Sequence, residues 1–146
     1  MYITLADITA ESVDTETLIQ LTDSDNIGVV DEVAVDRVIT AVCGEIDDLL
    51  RARYTVPFAA CPIIIRSIAI SIAAHKLYGL KKSFPRPESV KDDFTNSMKL
   101  LTSISTGTIK LGVPSAGGEI PTAPTSTGIL VSAPTRRFDS TTLDSY

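Results

Sequence analysis

The chain is predicted to be all-α: a small helical bundle with two short N-terminal helices, three longer helices and an extended C-terminal arm. Three observations predict it. Apolar residues recur at helical spacing through residues 35–50 and 90–104. A third segment between them is apolar nearly all round. Each segment also begins at a capping residue or proline and ends before a proline or glycine.

The first short helix follows Thr4, a capping residue, with Asp7 in its first turn and Ile3 spaced to staple onto Ile8. Residues 14–22 form the second and set Leu18, Ile19 and Leu21 beside each other, before a loop at residues 23–26. Asp31 is the predicted N-cap of the longest helix, residues 31–54, with Val35, Val38, Ile39, Val42, Ile46, Leu49 and Leu50 in one stripe. Its polar face carries Asp36, Glu45, Asp47 and Asp48 early and Arg51 and Arg53 late, the order a helix dipole favours. Pro57 ends it and Pro62 opens the next helix, residues 62–80. There Ile63, Ile64, Ile65, Ile68, Ile70, Ile72 and Leu77 leave no polar face, so neighbours must cover it on several sides. Arg66, His75 and Lys76 interrupt it, which predicts a core helix and not a membrane span. The last helix, residues 87–105, presents Val90, Phe94, Met98, Leu101 and Ile104, and Gly107 closes it.

Residues 1–112 are thus a helical body, and residues 113–146 an arm in which 18 of 34 residues are Pro, Gly, Ser or Thr. Such a segment builds no core of its own, so partner contacts are expected to order it. Ile129, Leu130 and Val131 suit strand addition to a neighbour, and Arg136, Arg137 and Phe138 have the composition of an interface anchor.

In a chain of 146 residues, 44% hydrophobic content supports one buried core and excludes wholesale disorder. The net charge of −5 argues against a protein that wraps phosphate backbones, yet it is unevenly spread. Residues 1–60 carry −9, residues 61–112 carry +5 and residues 113–146 carry −1, which suggests that unlike faces of neighbouring subunits meet. Lys76, Lys81, Lys82, Arg86, Lys91 and Lys99 form a basic region without the interleaved aromatics of a stacking platform.

No catalytic constellation is present in the sequence. His75 has no Cys, Asp or Glu at i±3 or i±4, Cys43 and Cys61 lack zinc-site spacing, and Asp47–Asp48 and Asp92–Asp93 are successive helical residues that do not face each other. The chain is expected to be no enzyme and to need no cofactor or metal. His75 and both cysteines are expected to be packed side chains, and the N-terminus lacks a secretory signal pattern.

From Ile46 the pattern Ile-Asp-x-x-Leu-x-x-Arg-Tyr-x-x-Pro runs through Arg53, Tyr54 and Pro57. With the opening residues 2–8, the Pro-Glu-x-Val at residues 87–90, and Gly107 followed by Leu111, it resembles the Mu-like phage head-tail connector family over residues 2–111. Arg137, Phe138 and Leu143 resemble that family's ending. The resemblance implies a structural adaptor: a ring, of twelve copies, beneath the portal protein in the virion neck, made in the host cytoplasm, joining capsid to tail and letting DNA pass without specific binding. It implies that Arg53, Tyr54 and Pro57 fix a corner between helices, with Arg53 free to pair with a neighbour's Asp47 or Asp48.

Interface roles are therefore expected for Arg53, Tyr54, Ile129, Leu130, Val131, Arg136, Arg137, Phe138, Leu143 and Tyr146. Channel-facing or intersubunit charge is expected at Asp36, Glu45, Asp47, Asp48, Lys81, Lys82 and Arg86. The alternatives are a stopper or tail-terminator neck protein, which would itself be a neighbour of an adaptor, and a small helical nucleic-acid-binding regulator using Lys81, Lys82 and Arg86. No membrane partner is expected.

Overall fold

The computed structural model describes residues 1–23 and 27–113. Five helices follow in chain order: α1 (Leu5–Glu11), α2 (Thr15–Thr22), α3 (Glu32–Leu50), α4 (Ile63–Leu80) and α5 (Glu88–Thr106). The chain is all-α over these residues, as predicted.

The N-termini form where short polar side chains satisfy the first free amides. Thr4 caps α1 in a full capping box, in which the Asp7 carboxylate accepts the Thr4 backbone N–H at 2.8 Å. Asp14 accepts the Thr17 N–H at 2.6 Å, and Asp31 the Ala34 N–H at 3.0 Å. Ile3 and Ile8 both lie in the core, at the spacing of a hydrophobic staple. Pro62 and Pro87 precede α4 and α5 without a side-chain cap.

The longest helix is shorter than predicted. It stops at Leu50, giving about 28 Å of helix where residues 31–54 would give about 36 Å. Arg53 and Tyr54 both donate backbone N–H groups to the Leu50 carbonyl, which tightens the chain into a turn. That turn swings the Tyr54 ring into the core, where it is 2% exposed. Nothing in residues 51–54 is locally hostile to helix, so burial of this ring overrides propensity.

Helices α3, α4 and α5 run up, down and up, because residues early in α3 and late in α4 meet, and His75 of α4 stacks on Phe94 of α5. Helix α4 touches all four others. By length and composition it would suffice to cross a membrane, but half of it is buried inside the bundle. Ile65, Ile68, Ile72 and Leu77 are essentially inaccessible, each burial contributing about 1.5–3 kcal/mol. Cys43 and Cys61, expected to be buried, are half-buried at the margin of this core.

Candidate functional site

The predicted site residues separate into a corner at one end of the bundle and a groove at the other. At the corner, Tyr54 is an acceptor: its hydroxyl oxygen takes the buried Leu111 backbone N–H at 3.1 Å. Its ring tilts against Phe58, 6.2 Å between centroids, and Phe58 in turn meets Tyr2 at 5.8 Å. The Tyr2 hydroxyl donates to Asp47 and accepts the Phe58 N–H at 3.3 Å. Burial, and then the Asp47 carboxylate beside it, raise the Tyr2 pKa well above the usual phenol range.

Arg53 crosses the corner to α5, where its Nη1 donates to the Thr106 carbonyl at 3.4 Å. The guanidinium lies where a side chain on Gly107 would stand: a Cβ there would be 2.0 Å from Arg53 Cζ. Gly107 is also left-handed, with φ of 83°, so it is fixed both by backbone sign and by its neighbour. Arg53, Tyr54 and Asp47 are thus engaged inside the chain, and Asp48 holds Arg51 at 3.0 Å.

The charge partition of the sequence is likewise met partly within the fold. Asp7 pairs with Arg66 and Glu45 with Lys76, each an acid of the first 60 residues meeting a base of the next segment. Hydrogen bonds from Thr4, then Arg66, hold the Asp7 pKa below its ordinary value. The expectation that these opposite charges serve contacts between subunits therefore loses two of its acids and two of its bases to internal pairs. Asp36 and Lys82 stay exposed, whereas Lys81 Nζ donates to the Gln20 carbonyl at 3.0 Å.

At the opposite end, α3 and α4 leave a groove of about 550 Å³. Its floor is Ala34, Val38, Ala41 and Leu80, and its polar lining is Arg37, Lys76, His75 and Arg86, with no carboxylate among the lining residues. Arg86 enters from the segment between α4 and α5 and lies across α4. Nη1 donates to His75 Nε2 at 2.8 Å, and Nη2 is 3.3 Å from where a Gly79 Cβ would be. Arginine has no acceptor, so His75 Nε2 must be unprotonated and its ring proton sits on Nδ1. Burial, then the Arg86 and Lys76 charges, lower the His75 pKa, consistent with a neutral ring. The ring is stacked on Phe94 at 3.9 Å and 13°. Arg86 Nε is buried without a hydrogen-bond partner.

Sequence reasoning named Arg86 but not its union with His75, Gly79 and Phe94. The signal was a histidine and a glycine one turn apart on a mostly apolar helix, followed by an arginine wedged between prolines. Ile129, Leu130, Val131, Arg136, Arg137, Phe138, Leu143 and Tyr146 lie outside the described residues. Among the described residues, no three His, Cys, Asp or Glu side chains gather to hold a metal ion.

This geometry defines a small all-α module whose two ends differ, one locked by Arg53 and Tyr54 and the other open and basic. The family model described as Bacteriophage Mu, Gp36 matches residues 2–128, and the chain belongs to that family. The match continues from the helical body through much of the Ser/Thr/Pro-rich stretch beyond it. Membership makes this a phage protein with a structural or morphogenetic role, associated with the virion. No curated protein matches the chain.

Proposed function

We propose that the chain is a head-tail connector, an adaptor that assembles as a ring of twelve beneath the portal and joins capsid to tail in the virion neck. Family membership supports a morphogenetic role, and one observation carries the ring. Ile27, Val29 and Val33 are 73%, 64% and 60% exposed at the start of α3, and Ile63 is 87% exposed at the start of α4. Because α3 and α4 are antiparallel, these apolar surfaces lie at opposite ends of the bundle. A ring closes by joining two unlike faces head to tail, and exposed apolar side chains at both ends of this molecule are available to such a contact.

In this reading the protein works by assembly and not by catalysis, its partners are copies of itself, the portal and the next neck protein, and DNA passes without specific binding. Exposed Asp36 and Asp48 suit a channel wall that repels phosphate. The helical body favours an adaptor over a stopper or tail terminator, which are more often β-rich. A DNA-binding regulator has less support, because Lys81 is held by the Gln20 carbonyl and Lys76 and Lys91 by Glu45 and Glu88.

Native mass measurement and image symmetry of the protein mixed with a candidate portal ring test the proposal. The expected product is a portal bearing a second ring of twelve chains. A chain that stays monomeric beside intact portal rings overturns it.

A further inference from the structure

We propose that the α3–α4 groove is the docking site of residues 138–146 of this chain. The groove and the segment complement each other. The groove concentrates Arg37, Lys76 and Arg86 over an apolar floor in a chain of net charge −5. The segment holds Asp139 and Asp144, no base, and the apolar groups Phe138, Leu143 and Tyr146.

The groove is prepared for a carboxylate. His75, held by its stack on Phe94, accepts one Arg86 nitrogen, and the absence of a side chain at Gly79 lets the guanidinium lie flat on α4. Arg37 is exposed at the rim, where a carboxylate reaches it directly, while Arg86 Nε is buried and adds no contact of its own. An arginine fixed in advance forms a charge-assisted bond without first being ordered, which favours binding. Lys76 contributes less, because Glu45 already holds it. Leu80, 49% exposed, gives an apolar side chain of the segment a surface to cover.

The tether is long enough. The described residues end at Val113, beside Phe58 at the corner, and Arg37 stands about 20 Å up α3 from Leu50 at 1.5 Å per residue. Residues 114–137 reach about 80 Å when extended. The segment therefore reaches the groove of its own chain or of a neighbour, so the docking does not depend on ring assembly.

The test uses the full chain with a photo-crosslinking benzoylphenylalanine in place of Phe138. After irradiation, crosslinks mapped by mass spectrometry are expected on residues 34–41 and 75–86. They should fall at least tenfold in Arg37→Glu, whose exposed position leaves the fold intact, and recover when Asp139→Lys and Asp144→Lys are added. Arg86→Glu should match Arg37→Glu, provided circular dichroism shows an unchanged fold. Mixing isotopically heavy and light chains reads whether the segment comes from the same copy or another, and either supports docking. Crosslinks elsewhere, or crosslinks on these helices indifferent to Arg37→Glu, overturn the proposal while leaving the ring untouched.

Discussion

Gly107 and Tyr54 show how single side chains hold the corner. Gly107→Ala would place a methyl group on Arg53 and force a left-handed alanine, so a loss of about 1–3 kcal/mol is expected in urea unfolding. Tyr54→Phe keeps the ring but strips the buried Leu111 N–H of its acceptor, at a cost of about 1–3 kcal/mol by the same measurement. His75 gives a pH dependence. Its pKa is lowered in the folded chain, so below its ordinary value of 6.5 the unfolded chain takes up a proton that the folded chain resists. Stability should therefore be unaffected by this group above that pH and decline as pH falls through and below it. A Tm series from pH 8 to 5 should show that slope, and His75→Gln should flatten it. None of these couplings was legible in the sequence, because Arg53 and Thr106, or His75 and Phe94, are joined by packing and not by any local spacing. What was legible was that Arg53, Tyr54 and Pro57 mark a corner.

At the scale of the elements, the sequence predicted five helices, and five are present among the described residues. Caps at Thr4 and Asp31 and the glycine after α5 announced their ends because capping is a local interaction between residues three or four apart. The end of α3 was misplaced because burial of Tyr54 rests partly on a contact 57 positions away, the Leu111 backbone N–H, which no local pattern announces. Helix α4 shows the converse. Its apolar residues all round the helix could only mean contact on several sides, and it does contact every other described helix. Ile68→Ala, at the centre of that contact, should cost about 2–5 kcal/mol, read as a lower urea midpoint at unchanged slope.

The whole molecule redefines what its charge does. Among the described residues, the ion pairs Asp7–Arg66 and Glu45–Lys76 link the acidic first segment to the basic second. With Arg66 half exposed, as is Glu45, each such pair contributes about 0–1 kcal/mol, so the body is held by its apolar core. Raising salt to 1 M should therefore leave the Tm of the free chain nearly unchanged while weakening any contact made through the basic groove, measured as loss of the photo-crosslink. A large drop in Tm would show that the pairs hold the body together.

The clasp between Tyr54 and Leu111 also decides how the molecule answers a pull. Tension applied to the chain beyond Val113 is expected to enter at Leu111, 4% exposed and bonded to the Tyr54 hydroxyl, and to pass to the corner between α3 and α4 before it peels α5. The bundle is thus gripped at its interior, with Arg53 backing the end of α5. Single-molecule stretching from the C-terminal side should show an early force peak before any helix unravels, and that peak should fall in Tyr54→Phe. A tether built this way transmits tension into the core of the fold and spares its last helix.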